Sequence, residues 1–462
     1  MTIKDLLINR PSETEMISVS GWVRSKRAGK KRAFVTLSDG STHQPIQCVI
    51  EASSPGFGQV SHVITGTAIK VLGNLVASPG IGQSYEIVAH SCQILGAVDE
   101  HYPLQKKHHS LEFLRDIAHL RARTQTLSSV FRVRSVLSLA THTFFQNRGF
   151  HLVHTPVLTA IDAEGAGDMF TVTNLNIDDP PRDTLGKVDY RQDFFASKAY
   201  LNVTGQLQAE YLALGMGRVY TFGPTFRAEN SNTKRHLAEF WMIEPELAFA
   251  DLDDCIELAS DHVLFLLRKC VAECGEELEF FQQKHEEFSI GDLEKMAKQS
   301  SFARMTYSEA VTILQQASKT QKLGGLRINW GEDLAREHEQ FLCEEYIKGP
   351  LFVTDYPKNC KAFYMRLNDD EKTVACMDFL VPKSGELIGG SQREERWDVL
   401  AHRMSEEGVG SELDWYLDLR KQGTVVHSGY GLGLERMVLL CTGVANVRDT
   451  IPSPRTPGNI RF

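Results

Sequence analysis

The sequence predicts an α+β protein. A small five-stranded β-barrel comes first, followed by a larger region built on a largely antiparallel sheet flanked by helices. Three observations carry this. Five alternating apolar segments are packed in before about residue 95, each bounded by turn residues. A single helical stretch, Thr126 to Gly149, separates them from the rest. Beyond Pro156, strand-like runs outnumber any tight β-α-β repeat, which favours antiparallel pairing.

The barrel strands are expected at Ile17 to Val23, Phe34 to Leu37, Ile46 to Ile50, Thr67 to Val76 and Tyr85 to Ile94. Asp39-Gly40, Pro55-Gly56 and Pro79-Gly80 punctuate them. Closure is favoured because an open five-stranded sheet leaves two edges to protect. The count suits an oligonucleotide-binding barrel. The stretch Gly21 to Gly40, GWVRSKRAGKKRAFVTLSDG, sets six cations on its first two strands, though the whole chain carries a net charge of −9. A solvated loop, a localisation signal and a polyanion contact all fit such a run.

Residues 101–125 are polar and read as a linker, so the expected domains are 1–100, 101–125 and 126–462. In the long helix, Val130, Val133, Leu137, Ala140 and Phe144 recur at helical spacing, and Gly149 stops it. Strands are expected at Arg218 to Thr225, Glu239 to Phe249, Leu351 to Thr354, Phe363 to Leu367, Val374 to Leu380 and Val425 to Gly429. Helices are expected at Glu337 to Tyr346 and Leu434 to Cys441. No apolar run approaches the roughly 20 residues that span a bilayer, and the first residues lack the apolar core of a signal peptide. Nine scattered cysteines fit reduced thiols, so a cytoplasmic protein that does not engage membranes is expected. Net charge −9 argues against nucleic-acid binding over the whole surface and leaves room for a local patch.

Three segments suggest chemistry. Thr221 to Phe249 reads as two strands around a polar loop. Arg227 and Glu229 share one face there, and Arg235 and His236 end the loop. An arginine on a sheet face beside a basic loop suits phosphate or carboxylate. Ser428 to Arg436, SGYGLGLER, enters a helix with Arg436 in its first turn. A cation there opposes the helix dipole, so a nucleotide phosphate better explains it. In Asp378 to Arg393, Asp378 and Glu386 flank a hairpin turn and suit a magnesium ion shared with phosphates. Each feature alone also reads as an exposed hairpin or turn with ion pairs of little energetic weight.

Taken together and in order, the segments resemble the three motifs of class II aminoacyl-tRNA synthetases. The helix that ends in Gly149-Phe150, with its continuation to Pro156-Val157-Leu158, resembles the first motif, Phe226-Arg-Ala-Glu229 to Phe240 the second, and Gly431-Leu-Gly-Leu-Glu-Arg436 the third. A barrel ahead of such a catalytic domain resembles the aspartyl, asparaginyl and lysyl group. The segments DFFASKAYLNVTGQLQAE and YPKNCKAFYMRLND are most similar to the asparaginyl branch.

The resemblance implies ATP as substrate, Mg²⁺ as cofactor, and asparagine and tRNA(Asn) as partners of a homodimer. It implies Arg227 and Arg436 as catalytic cations, with Glu229, Arg235, His236 and Phe240 completing the ATP site. Asp378 and Glu386 would hold the metal. Glu164 and Gln206 would bind the substrate ammonium. Arg393 would donate to the asparagine amide and Glu210 would accept from it, with Ala209 where aspartyl enzymes carry lysine. On the barrel, Arg27, Phe34 and Gln47 would read the anticodon. Two alternatives stay open on the sequence: an aspartyl-tRNA synthetase, and an asparagine synthetase on the same catalytic fold.

Overall fold

A computed structural model describes residues 1–80, 82–161, 169–320 and 326–462. The chain forms two compact units, Met1–Phe131 with Phe462, and Arg132–Arg461.

The first unit opens with a short helix, α1 (Ile3–Asn9). Seven residues are too few to show a period, and the sequence pattern did not reveal it. Thr2 and Asp5 close a capping box at its start. Its buried face, Ile3 and Leu6, packs on the barrel core. The barrel strands are β1 (Ile17–Ala28), β2 (Arg32–Ser38), β3 (Ile46–Glu51), β4 (Ala68–Ala77) and β5 (Tyr85–Gly96). They close in the order β1-β2-β3-β5-β4. In β2 the period of two sends Ala33, Val35 and Leu37 inward. A register shift bends β4 at Gly73, where a Cβ would collide with the Val88 carbonyl of β5. Closure therefore needs glycine at that position.

Helix α2 (Gln125–Asn147) buries Leu127, Val130, Val133, Leu137, Phe144 and Phe145. It ends at Gly149, whose φ of +75° suits the left-handed residue after a helix.

The second unit is organised on an eight-stranded sheet. Its strands are β6 (His151–Leu152), β7 (Arg218–Phe226), β8 (Glu239–Ala248), β9 (Ala303–Thr306), β10 (Leu351–Thr354), β11 (Cys376–Val381), β12 (Gly385–Gln392) and β13 (His427–Gly433). The order is β9-β10-β11-β12-β13-β8-β7-β6. All pairs are antiparallel except the two at the edges, β9–β10 and β6–β7. Helices α3 (Gln206–Met216), α4 (Leu252–Glu273) and α5 (Leu434–Thr442) belong to this unit.

One expectation fails here. Phe363 to Leu367 forms only isolated bridges at Met365 and Leu367. Its aromatic residues, Phe363 and Tyr364, pack with Tyr416 and Leu400 in a core cluster, so the apolar run serves packing and not a ladder. The helix expected from Glu337 begins as α-helix at Arg336–Gln340 and continues as π-helix over Phe341–Ile347.

The barrel's dependence on inward packing gives a contrast. Leu37→Ala should destabilise the protein by about 2–5 kcal/mol, as buried leucine truncations do. Leu72, more than a third exposed on β4, should cost less than about 1 kcal/mol on the same change. Chemical denaturation of the two variants makes the comparison.

Candidate active site

The centre of the sheet carries the polar side chains that the sequence singled out. Strands β7 and β8 pair from Arg218↔Leu247 to Phe226↔Glu239. Arg227 lies one residue past the end of β7, with its guanidinium 5.4 Å from the Phe240 ring centroid. In the connecting loop His236 lies 3.7 Å from Glu229 and is held by the hydroxyls of Ser231 and Thr233. Arg235 donates to the Lys383 carbonyl, 2.9 Å away.

Across the slot, β13 turns directly into α5. Arg436, in the first turn, donates to the Glu386 carbonyl and lies 3.5 Å from its carboxylate. Arg227, His236, Phe240, Met242, Glu386 and Arg436 line a cavity of about 150 Å³. A larger one of about 1140 Å³ shares Arg235, His236, Glu386 and Arg436 with it. A flat aromatic face with several cations is an arrangement for a nucleotide.

Asp378 on β11 and Glu386 on β12 converge above Gly389, the residue paired with Asp378. A Cβ there would stand 2.9 Å from one Glu386 oxygen and 3.8 Å from an Asp378 oxygen. Lys361 completes the group. Its Nζ is 2.6 Å from Asp378 and 4.1 Å from the Tyr356 ring centroid. Burial and the neighbouring Glu386 push the Asp378 carboxyl up, with Lys361 opposing them. Burial would also raise Glu386, but Arg436, Lys361 and Arg227 outweigh it and hold that carboxyl down. Among the described residues no three His, Cys, Asp or Glu side chains gather as a metal cage. The donors present fit a hard cation that takes its remaining oxygens from phosphate and water.

Deeper in the sheet lies a buried ionic cluster. Arg393 directs Nε and Nη2 at Glu246, with Nε 3.2 Å from the carboxylate, and Nη1 at the Ser391 hydroxyl, 2.8 Å away. Glu246 requires glycine at 429, because a Cβ there would overlap its carboxylate. Glu210, fully buried on α3, lies 3.9 Å from Arg393 Nε. Its oxygens accept from Tyr416 at 2.7 Å and from Arg420, His427 and Gln206 at 3.2 Å. A carboxylate offers about four acceptor sites, and these four donors fill them. The expectation that Glu210 itself accepts from a substrate amide is therefore corrected: its hydrogen-bonding capacity is spent inside the protein. Burial favours the neutral acid at Glu210, but His427, Arg420 and Arg393 prevail and keep it ionised. Burial pushes Glu246 upward, and Arg393 opposes that shift. Ala209, on the same helix, packs into an apolar cluster with Ala213 and Val219.

The residues missed from sequence are Lys361, Glu246, Tyr416, Arg420, His427 and Glu244, which is buried and accepts from the Thr204 hydroxyl and, at 3.0 Å, from the Gly205 amide. Glu244 and Glu246 did carry a signal, since two acids in a row of strand residues otherwise buried, β8, require partners. Glu164 lies outside the described residues.

On the barrel, Arg27 pairs across strands with Phe34, its guanidinium 5.8 Å from the ring centroid. Gln47 pairs with Thr36, two residues from Phe34, so all three face the same side. Gln47 also donates to Glu86 at 3.0 Å. Within the basic run, Lys26 binds the Ser61 carbonyl and Arg32 pairs with Glu51, while Lys30 and Lys31 are exposed at the β1–β2 turn.

Comparison with known proteins agrees with this geometry. Residues 17–95 match the model of the OB-fold nucleic acid binding domain. Residues 110–457 match that of the class II tRNA synthetases (D, K and N). The asparagine–tRNA ligase of Thermosynechococcus vestitus is 52% identical over 466 residues, covering 100% of this chain and 99% of the relative. That of Desulfitobacterium hafniense is 50% identical over 462 residues, covering 100% and 99%. The crystal structure of asparaginyl-tRNA synthetase from Pyrococcus horikoshii, complexed with asparaginyl-adenylate, superposes with a TM-score of 0.85 at 31% identity, covering 96% of each chain. With the three motifs on one sheet behind a closed barrel, and a family match across most of its length, the chain belongs to the class II tRNA synthetases of the D, K and N group.

Proposed function

We propose that this chain is an asparagine–tRNA ligase that activates asparagine with ATP and transfers it to the 3′-terminal adenosine of tRNA(Asn). The observation that carries the reading is the junction of two sites on one sheet. A cationic, aromatic slot suited to a nucleotide adjoins a buried arginine framed by carboxylates.

The first step needs no general base, because the asparagine carboxylate is already a nucleophile. Its oxygen forms the new bond to the α-phosphorus as the bond to the β-phosphate bridge breaks, giving asparaginyl-adenylate and pyrophosphate. A ribose hydroxyl of the tRNA then attacks the carbonyl carbon, and AMP leaves. Positioning and charge stabilisation supply the rate. Arg227 meets the α-phosphate and faces the charge that develops there. Phe240 and Arg436 hold adenine between them, while Arg235 and His236, the latter held by Glu229, reach the outer phosphates. Asp378 and Glu386 would hold Mg²⁺, which when bound neutralises phosphate charge.

In the amino-acid pocket, three of the five Arg393 N–H groups are engaged with Glu246 and Ser391. The other two suit the amide oxygen of asparagine. Gln206, with Glu164, binds the substrate ammonium. Glu210 acts through its charge and not through a direct bond. An aspartate side chain would place a second negative charge beside the ionised Glu210, and like charges at short range in a buried site are strongly disfavoured. A neutral amide avoids that repulsion.

On the barrel, Phe34 offers a stacking face for an anticodon base, while Arg27 and Gln47 read base edges. The first-motif segment exposes Leu139, Leu152, Val157 and Leu158. That apolar surface supports a homodimer formed through α2 and the strands after it. The working place is the cytoplasm, beside tRNA, and among the described residues no helix is long and apolar enough to cross a membrane.

Pyrophosphate exchange should proceed with asparagine and not with aspartate, and Arg227→Ala should lower it by roughly 10²–10³-fold. Exchange driven by aspartate, or near-normal exchange in the variant, would refute the assignment. Phe34→Ala should raise the KM for tRNA in aminoacylation and leave pyrophosphate exchange unchanged; an equal loss in both would remove the barrel from anticodon reading. Sedimentation velocity should give a dimer, and an active monomer would end that proposal.

A further inference from the structure

Glu435 precedes Arg436 in the first turn of α5, and its side chain is buried. The β8–β13 ladder ends at Met242↔Gly433, because β13 becomes a helix at Leu434. The next amide of β8, Trp241 N–H, finds no strand there. It donates to Glu435 Oε2 at 3.0 Å. Trp241 directly follows Phe240. One carboxylate thus ties together the two walls of the nucleotide slot, the strand that carries Phe240 and the helix that carries Arg436.

The other oxygen, Oε1, faces a cation. Arg134 Nη1, on α2, lies 2.8 Å from it as an ion pair without hydrogen-bond alignment. Arg134 is largely buried too, and the same nitrogen lies 3.2 Å from the Thr450 carbonyl. Burial pushes the Glu435 carboxyl up, and Arg134 with the Trp241 amide opposes that shift. A buried carboxylate paired with a cation depends heavily on it, since removing one partner leaves an uncompensated charge.

We propose that Arg134 is a positioning residue for the nucleotide slot: by anchoring the Glu435 carboxylate, it sets the spacing of Phe240 and Arg436 and hence the fit of adenine. This rests on the reading that those two residues hold the base. It assigns the first-motif helix a task at the active site of its own chain.

The test is pyrophosphate exchange with ATP and asparagine varied separately. Arg134→Met should raise the KM for ATP about tenfold, the scale expected when a buried acceptor loses its partner, with the KM for asparagine changed less than about twofold. Arg134→Lys keeps the charge and loses the fork, so an intermediate rise of about threefold is expected. Adding Glu435→Gln to Arg134→Met keeps an acceptor for Trp241 while removing the orphaned charge, and should bring the ATP KM back towards the starting value. An unchanged ATP KM, or equal rises in both KM values, overturns the proposal. Should Arg134→Met not fold, the lysine variant decides by the same criteria. Phe240→Leu separates the two layers of the argument. A raised ATP KM there, without one in the Arg134 variants, leaves the slot standing and removes the positioning role. No rise in either removes both.

Discussion

The pairing of Arg393 with Glu246, beside the ionised Glu210, is the constraint around which the catalytic sheet is arranged. Charges this deep are costly, and attraction repays that cost only when the geometry is good and further hydrogen bonds support the pair. The fold meets the condition with side chains drawn from α3, β8, β12, β13 and the segment around Tyr416 and Arg420. Gly429 is part of the same solution, since any side chain there would take the volume of the Glu246 carboxylate. The cluster is therefore a joint between strands. Its members cannot be replaced singly without leaving a buried charge exposed to a low-dielectric surrounding.

The nucleotide side follows a different rule. Its cations stand at strand ends, in a loop and in the first turn of a helix, where they keep contact with open cavities. Lys361 offsets part of the negative charge of Asp378 and Glu386. Two close carboxylates would otherwise repel each other, and one would tend to protonate. The lysine thus keeps the pair together and available to a cation. The ionic cluster is buried, whereas the cations around Arg227, Arg235 and Arg436 face open cavities.

This division also explains what the sequence revealed. Strands β1 to β5 were legible because one face of each is buried, and the period of two follows from that alone. The three motif segments were legible because glycine spacing and an arginine in a helix's first turn are anomalies that local stability does not explain. Helix α1 was too short to show a period. Phe363 to Leu367 misled because apolar content signals burial and not pairing. Glu210 illustrates the deeper limit. Its place on a helix face could be read from spacing, but its role is set by Tyr416, Arg420 and His427, each more than 200 residues away in the chain. Pairings at that separation leave no periodic trace. The buried acids of β8 left the only one available, a chemical implausibility that demanded partners.

The basic run on the barrel shows the same logic from the outside. Lys26 and Arg32 are held within the barrel, by a carbonyl and by Glu51. Arg27 lies near the Phe34 ring, where its charge strengthens a face on which a base would stack. Lys30 and Lys31 project from the turn, where cations act on phosphates through a field that salt screens. A run that reads as one feature in sequence therefore splits, by the twist and register of two strands, into cations bonded to the barrel's own oxygens, a cation beside the Phe34 ring and cations exposed at the turn. Such a split needs only one face of one unit to be positive. The excess of acidic residues elsewhere then favours that face over nonspecific contact, because a polyanion meets attraction in one orientation and repulsion in most others.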